Sequence, residues 1–405
     1  MNEPRSDKVL NNTFGLGCLK LVEAVYPLVL VPILINLLGL ESYGEFVLYF
    51  AVTQILVVII NLGLDEYLVP LVSRGDDATN LIIQCFKARL MLWLGLALIS
   101  LIITKAVETA DHLPLFVLCS AYEVFNLYWY FHGTQILSPH VVVSFLAKAA
   151  SVVLILLLEA DSNTISEVAL ILAISSIIPY SVLFLGVSNK QRIRIKDFFV
   201  GGRGFSMAPI KVLATNILLI AKDRASLFIL GKYLSFDLVA LFDIFQKVLT
   251  VLQQPLLVLQ NAFFPVISQF SSRRLLMRVL WISTGYSVLC YSLVILLSPF
   301  AIAELWPEFE ADLLPLFVNS LCIFPYMISL WVAKNILVAR GKFTALLLSA
   351  LCTIGIFSAL WLSIISSELE LTLLLVCIVN VVVFTCEALL RLAFCVKDRL
   401  LSAYV

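Results

Sequence analysis

The chain consists largely of apolar stretches of about 20 residues, each bounded by charged or turn residues. A helix needs about 20 such residues to cross the roughly 30 Å hydrocarbon core of a bilayer. Of the 405 residues, 61% are hydrophobic and 13% charged, against about 25% charged in soluble domains. We therefore predict an all-α, polytopic membrane protein with short loops. The stretches predict twelve transmembrane helices, at roughly 14–38, 45–64, 81–104, 113–134, 139–158, 165–188, 207–231, 237–262, 276–298, 313–338, 343–366 and 371–396.

Lys and Arg residues are distributed unevenly between the predicted loops. Fourteen fall in the termini and in the connections on one side, whereas the opposite connections hold only Lys105 and Lys232. Short cytoplasmic loops carry an excess of Lys and Arg, so we predict that both termini are cytoplasmic. The polar, acid-containing N-terminus is unlike a cleaved signal peptide, and the first apolar stretch is interpreted as a retained helix.

The longest cytoplasmic connection separates two sets of six predicted helices. It predicts an N-terminal bundle at 1–188, a linker at 189–206 and a C-terminal bundle at 207–405. LLGLESYGEFVLYF (37–50) and ILGKYLSFDLVALF (229–242) each contain an apolar helix end, Leu-Gly, a polar turn and a helix start with aromatic residues. Their equivalent places in the two halves favour a transporter built from two repeats.

Ionisable residues inside the predicted helices are the candidate functional residues, because a charge within the bilayer is costly unless it faces a cavity or a partner. Lys148 and Glu123 lie about 14–15 Å into their helices, near mid-membrane. At least one of the consecutive Lys222, Asp223 and Arg224 is expected to line a cavity, because three adjacent residues fan over about 200°. A cationic cavity suited to an anionic group such as a phosphate is predicted from Lys20, Lys148, Lys211, Lys222, Arg224 and Lys247. Candidate coupling or gating residues are Glu23, Asp65, Glu123, Asp223 and Asp243.

Several of these charges also have a structural interpretation. Lys20 with Glu23, and Asp243 with Lys247, have the helical i,i+3 and i,i+4 spacing of packing ion pairs. For Lys211, Lys247 and Arg224, snorkelling or structural pairing is the alternative interpretation.

Other polar or aromatic positions near helix ends are interpreted as structural. Lys334 and Arg391 are expected to snorkel, and Glu387 is the expected i,i+4 partner of Arg391. Asp65 and Glu66 close the second predicted helix and mark either a gate or the membrane interface. The aromatic run at 128–131 predicts an interfacial belt.

The residue types that hold metals or perform catalysis form no recognisable site. The nine cysteines show no CxxC or metal-ligand spacing and are interpreted as small buried hydrophobic residues. His112, His132 and His140 are scattered, so no metal is predicted. No nucleophile elbow or triad context is present, and we expect no catalytic residue. The formal net charge is zero, which gives no indication of a nucleic-acid partner.

Three stretches resemble the Wzx-type O-antigen flippases of the multidrug/oligosaccharidyl-lipid/polysaccharide exporter (MOP) superfamily. YPLVLVPILINLLGLESYGEFVLYFAVTQILVVIINLGLDEY (26–67) has the proline-bearing helix, Leu-Gly, aromatic-Gly turn and terminal Asn-x-Gly of that family. NLYWYFHGTQILSPHVVVSFLAKAASVVLILLL (126–158) resembles the aromatic-x-Gly junction, with His132 where Gln is common. DRASLFILGKYLSFDLVALFDIFQKV (223–248) and PLLVLQNAFFPVIS (255–268) resemble the start of the second half, with Ala240 where Gly is common.

The resemblance implies a MATE-like fold of two six-helix bundles and a transporter that works by alternating access. The implied substrate is an undecaprenyl-diphosphate-linked oligosaccharide, such as an O-antigen repeat unit, moved across the bacterial inner membrane. Membrane lipid and a polymerase and chain-length regulator of the glycan pathway are the implied partners, and no cofactor is implied.

Two other functions remain open at this point. A small-molecule or multidrug exporter of the same superfamily would couple to ions through buried carboxylates, and Glu23, Asp223 and Asp243 are available for this role. A membrane polysaccharide polymerase or ligase would need an extramembrane platform for its acceptor. The predicted outer loops are short, so a transporter is favoured over an enzyme.

Overall fold

A computed structural model describes residues 6–73, 77–107, 111–159, 164–194, 197, 209–270, 273–305, 313–367 and 370–397. Within these residues the secondary structure is helical, without strands, which confirms the all-α prediction. The chain divides into two compact units, Met1–Arg224 and Ala225–Val405. Most of the predicted linker at 189–206 lies outside the described residues, and the predicted bundle boundaries stay predictions.

The helices are numbered in chain order. Those of the first unit are α1 (Ser6–Leu38), α2 (Leu40–Asn61), α3 (Leu64–Ser73), α4 (Ala78–Ala106), α5 (Leu113–Cys119), α6 (Tyr122–Phe125), α7 (Tyr128–Gly133), α8 (Ser138–Ile155) and α9 (Thr164–Lys190). Helix α10 (Pro209–Tyr233) contains the boundary between the units. The second unit contains α11 (Phe236–Phe270), α12 (Arg273–Leu305), α13 (Leu314–Ser320), α14 (Ile323–Val332), a π-helical turn (Ala333–Val338), α15 (Phe343–Ser366) and α16 (Leu373–Lys397).

Eight described helical segments are long and apolar enough to cross a membrane, and the chain is a multi-pass membrane protein. The predicted helices at 14–38, 113–134, 207–231 and 237–262 are not among these eight, so the count of twelve stays a prediction. The fourth of the predicted helices is divided into short pieces. The other three carry several of the charged residues that were singled out as candidate site residues.

The predicted helices at 113–134 and 313–338 are each interrupted in the structure. The first segment is divided into α5, α6 and α7, with breaks at Ser120–Ala121 and Asn126–Leu127. The second is divided into α13, α14 and the π-helical turn. A hydropathy window does not detect such breaks, because it averages over about 19 residues and the polar residues at the breaks are few. Broken backbone at membrane depth is tolerated where protein groups satisfy its freed carbonyls.

Both broken segments begin with the same five residues. Leu113–Val117 and Leu314–Val318 read Leu-Pro-Leu-Phe-Val, and each opens a seven-residue helix with proline in its first turn. Proline is tolerated there because the first backbone N–H groups of a helix have no intrahelical partner. This identity is a stronger sign of an internal repeat than the two Leu-Gly stretches.

Helix α7 lies in the core of the first unit. Trp129, Tyr130 and Phe131 are buried there in an apolar cluster that includes Leu64 and Leu68 of α3. The prediction of an interfacial aromatic belt is therefore wrong for these three residues. They pack against a short helix, α3, which begins where the second predicted helix ends and was not predicted.

The close approach of α7 to α3 depends on a glycine. A Cβ atom added at Gly133 would lie 2.8 Å from Cβ and 2.9 Å from Cγ1 of Val72. We expect Gly133→Ala to lower the free energy of unfolding by about 1–3 kcal/mol, the usual cost of overpacking a filled core. Thermal unfolding in detergent, followed by intrinsic tryptophan fluorescence, measures the change.

Gly186 provides a matched control for this prediction. It lies in α9, where an added Cβ atom would meet nothing within 4 Å. Gly186→Ala is expected to leave stability unchanged or to raise it slightly, because alanine has the higher helix propensity. Equal effects of the two alanine substitutions would show that the α3–α7 contact does not depend on Gly133.

The second unit contains its own buried polar groups. Gln260 of α11 donates to Oγ of Ser283 of α12 at 3.0 Å and accepts a short hydrogen bond from Asn335 of the π-helical turn. Arg391 pairs with Glu387 at 2.7 Å, as predicted, and also donates to Oγ of Ser329 at 2.6 Å. The side chain of Arg391 is therefore held within the unit by these contacts, which corrects the expectation that it snorkels.

Candidate functional site

A cavity of about 570 Å³ lies within the first unit and is lined by residues of α1, α2, α3, α5 to α10 and the break before α7. Its wall combines charged, hydroxyl and aromatic side chains. The charged residues are Glu23, Asp65, Lys148 and Arg224. The aromatic residues are Tyr26, Phe50, Tyr122, Tyr128, Tyr180 and His140. Polar groups set among aromatic rings are typical of small-molecule and cofactor sites.

Helices α1 and α8 meet at the cavity through Tyr26 and Lys148. The Nζ atom of Lys148 lies 5.7 Å from the ring centroid of Tyr26, within the range of a cation–π interaction. The Tyr26 hydroxyl forms a 2.9 Å hydrogen bond with Oγ of Ser151, one turn further along α8. These contacts bring the ammonium group of Lys148 to the aromatic part of the cavity wall.

Three buried polar atoms of cavity-lining residues have no hydrogen-bond partner among the described residues. They are Oε1 of Gln54, Nδ1 of His140 and Nε of Arg224. Buried polar atoms are nearly always hydrogen-bonded in folded proteins. They lie on three helices, α2, α8 and α10.

Behind the cavity wall, α4 contributes a completely buried guanidinium group. Arg89 is 0% exposed, and its Nη2 atom lies 2.9 Å from Oδ1 of Asp65 and 3.3 Å from Oε1 of Glu123. Glu123 also accepts hydrogen bonds of 2.8 Å from the side-chain amides of Asn61 and Asn126. One positive and two negative groups leave one net negative charge when both carboxylates are ionised.

Arg89 also satisfies the break between α6 and α7. Its Nη1 atom donates to the backbone carbonyl oxygens of Glu123, at 3.0 Å, and Asn126, at 2.8 Å. A break within a membrane segment needs such partners, because lipid offers no hydrogen bonds to freed carbonyl groups. The same guanidinium group therefore holds the broken segment and the Asp65 carboxylate.

Five of the predicted site residues lie in the cavity wall or directly behind it. Lys148, Arg224, Glu23 and Asp65 line the cavity, and Glu123 lies behind its wall with Arg89.

The remaining predicted site residues lie elsewhere or are not described. Lys222 is buried on α10, 3.6 Å from the half-exposed carboxylate of Asp223. Asp243 and Lys247 form a 2.5 Å pair on α11, in the second unit. The side chains of Lys20, Lys211 and Glu66 lie outside the described part of the chain.

Sequence reasoning missed Arg89, Asn61 and Asn126. A usable signal was present for Arg89, because it lies about 16 Å along α4 from Ala78 and inside a predicted transmembrane helix. The amides carried no comparable signal, since uncharged polar residues are common in membrane helices. Within the described residues, no group of three or more His, Cys, Asp or Glu side chains could hold a metal ion.

The fold is shared with solved membrane transporters. A MOP-superfamily transporter from Pyrococcus furiosus is 15% identical, with a TM-score of 0.67 over 98% of this chain and 96% of that one. An outward-facing multidrug resistance MATE transporter is 14% identical, with a TM-score of 0.69 and the same coverage. A MATE transporter of Vibrio cholerae is 14% identical, with a TM-score of 0.64 over 98% of both chains. The fold is thus that of a MATE-like membrane transporter, as predicted.

The family of this protein is shown by a match of its amino-acid sequence to a family model. Residues 9–271 match the family described as polysaccharide biosynthesis protein, which is more than half of the chain. The protein belongs to this family. A comparison with curated protein sequences gives no match.

Proposed function

We propose that the protein flips an undecaprenyl-diphosphate-linked oligosaccharide repeat unit, of the O-antigen type, across the bacterial inner membrane by alternating access. The observation that carries the proposal is the cavity of the first unit, in which Lys148 and Arg224 lie among aromatic and hydroxyl side chains. Membership of the polysaccharide biosynthesis protein family supports a glycan-bearing substrate. The excess of Lys and Arg on one side of the predicted topology supports cytoplasmic termini.

The chemistry of the cavity wall fits the parts of this substrate. Ammonium and guanidinium groups form short, charge-assisted hydrogen bonds with diphosphate oxygens, and Lys148 and Arg224 offer both groups. Tyrosine rings and hydroxyl groups suit sugar rings, which have both apolar faces and polar edges. The undecaprenyl chain needs no site of its own, because the bilayer solvates it.

We place the coupling step at the buried cluster of Arg89, Asp65 and Glu123. Its net negative charge is costly in a low-dielectric environment, and one proton would make the cluster neutral. Glu123 lies behind the wall, whereas Asp65 reaches the cavity. A change of charge at Glu123 can therefore reach the substrate through their shared partner, Arg89.

Glu123→Gln is expected to abolish the response of transport to a proton gradient, because the amide keeps the shape of the side chain but cannot take up the proton. Flipping rates in proteoliposomes, with and without an imposed gradient, provide the measurement. Glu41→Gln is the control, since Glu41 is exposed in the first turn of α2. A gradient response that survives in Glu123→Gln would exclude this carboxylate as the coupling group.

Deletion of the gene in its native host tests the proposed function. We expect surface glycan to disappear and the undecaprenyl-diphosphate-linked repeat unit to accumulate with its sugar on the cytoplasmic face. Mass spectrometry of extracted lipids and labelling of inverted vesicles with an impermeant reagent measure these two effects. A plasmid copy carrying Lys232→Ala, an exposed position, should restore the glycan. Normal surface glycan in the deletion strain would refute the proposal.

An ion-coupled exporter of small cations is the second candidate. It is favoured by Glu23, which places a carboxylate in the cavity wall that could pair with a cationic ligand. On this alternative, the deletion strain would keep its surface glycan and become sensitive to lipophilic cations.

A further inference from the structure

One end of the cavity wall is built from the break between α6 and α7 and the start of α3. Asp65, Asn126 and Tyr128 line the cavity there. All three are joined to one another or to Arg89 by recorded hydrogen bonds. Hydrogen bonds therefore connect Asp65, Asn126 and Tyr128 at this end of the wall. Together these residues provide a carboxylate, an amide and an aromatic ring.

Asp65 is held by Arg89 and lines the cavity. Oδ1 accepts a hydrogen bond from Arg89 at 2.9 Å, whereas no bond to Oδ2 is recorded within the described residues. The side chain of Asp65 is 18% exposed. The positive charge of the Arg89 guanidinium already compensates the negative charge of this carboxylate. The Asp65 side chain can therefore still offer a ligand a strong hydrogen-bond acceptor.

Asn126 is fixed in the same way. Its amide nitrogen donates to Oε2 of Glu123 at 2.8 Å, and its oxygen accepts from the backbone N–H of Tyr128 at 3.0 Å. A carboxamide has two N–H donors and two acceptor lone pairs. One donor and one acceptor therefore remain, and the bond to the Tyr128 backbone fixes the amide relative to the start of α7.

We propose that Asp65, Asn126 and Tyr128 form a sugar-binding subsite, and that Arg89 is the positioning residue that orients it. This inference rests on the proposed function, because it assigns the oligosaccharide of that substrate to this end of the cavity. Arg89 donates to the carbonyl oxygen of Asn126 at 2.8 Å and to Asp65 at 2.9 Å, and thereby sets the spacing of both polar groups. It does not itself line the cavity.

A sugar fits this group better than a cation or a diphosphate does. Sugar hydroxyl groups both donate and accept, and the subsite offers a carboxylate acceptor beside an amide with one donor and one acceptor. The Tyr128 ring is stacked on the ring of His132 and packs against His140, each at 5.4 Å between centroids, so only the part of the ring that lines the cavity adds apolar surface for a sugar. The oxygens of a diphosphate are acceptors, as is the Asp65 carboxylate, so the two cannot hydrogen-bond, and a cation would compete with Arg89 for the same carboxylate.

Two variants test the inference in proteoliposomes that contain the full chain. Arg89→Lys keeps the charge but loses the planar fork that reaches both Asp65 and the backbone carbonyls. Asn126→Ala removes the amide and leaves Arg89 intact. The matched controls are Arg278→Lys and Asn189→Ala, both at exposed positions.

The substrates are undecaprenyl-diphosphate-linked oligosaccharide from host membranes and undecaprenyl diphosphate without sugar. We expect both variants to raise KM for the oligosaccharide lipid about tenfold, the effect of one lost hydrogen bond of typical strength. Binding of the sugar-free lipid should be unaffected, a difference that a purely structural role of Arg89 would not produce.

The possible outcomes test the sugar-binding subsite and the proposed function separately. An unchanged KM in folded Asn126→Ala would overturn the subsite, and so would an equal loss for both lipids. If Arg89→Lys does not fold, Asn126→Ala alone decides the subsite. Wild-type protein that moves no oligosaccharide lipid would refute the proposed function and, with it, the subsite.

Discussion

Arg89→Ala is expected to lower the free energy of unfolding by about 3–5 kcal/mol, the cost of removing one partner from a buried ion pair. The substitution leaves the carboxylates of Asp65 and Glu123 without their cation. It also leaves two backbone carbonyl oxygens at the α6–α7 break without their donor. Thermal unfolding in detergent, with size-exclusion chromatography of the solubilised protein, measures the loss.

The control for this variant is Arg278→Ala, because Arg278 is exposed on α12 and substitutions at such surface positions usually change stability by no more than about 0.5 kcal/mol. A double variant, Arg89→Gln with Glu123→Gln, removes one charge of each sign and should recover part of the loss. Equal stability of Arg89→Ala and wild type would show that the buried cluster does not hold the broken segment.

Lys148→Ala and Arg224→Ala are each expected to slow the flipping of the oligosaccharide lipid by about 10- to 100-fold. A hydrogen bond to a charged group contributes about 1.5–3 kcal/mol, which corresponds to that range of rates when the bond is made in the rate-limiting step. Initial rates in proteoliposomes at a fixed amount of folded protein measure the effect.

One conservative and one remote substitution show whether a slower flipping rate results from the loss of the charge or from a change in the fold. Lys148→Arg keeps a cation that can reach the diphosphate and should retain most of the rate. Lys232→Ala removes an exposed cation of α10 and should behave like wild type. Full activity of both Lys148→Ala and Arg224→Ala would contradict the assignment of the diphosphate to this cavity.

Most helices outside the broken segments could be located as long apolar runs, although α3 was not predicted and the runs at 14–38, 207–231 and 237–262 contain charged residues. The breaks could not, since the few polar residues beside them have little effect on hydropathy averaged over about 19 residues. The Leu-Pro-Leu-Phe-Val identity was a readable signal for two related segments. It marks where α5 and α13 begin, but not how far each helix continues.

Part of the candidate site could be predicted from charged residues within apolar stretches of the sequence. Lys148 and Arg224 were predicted for a cavity, and both line the one in the first unit. The partners of a buried charge cannot be read from sequence in the same way. Arg89 meets Asp65 and the Glu123 backbone across 24 and 34 positions of the chain, so only the fold brings them together.

The most direct test of the proposed function compares two substrates in the same vesicles. Proteoliposomes with the purified protein are loaded with undecaprenyl-diphosphate-linked oligosaccharide and, separately, with a fluorescent lipophilic cation. An impermeant glycan-oxidising reagent reports arrival of the sugar in the opposite leaflet. We predict protein-dependent movement of the sugar that Lys148→Ala slows, without protein-dependent movement of the cation. Movement of the cation while the sugar stays in its original leaflet would contradict the proposed function and favour a small-molecule exporter.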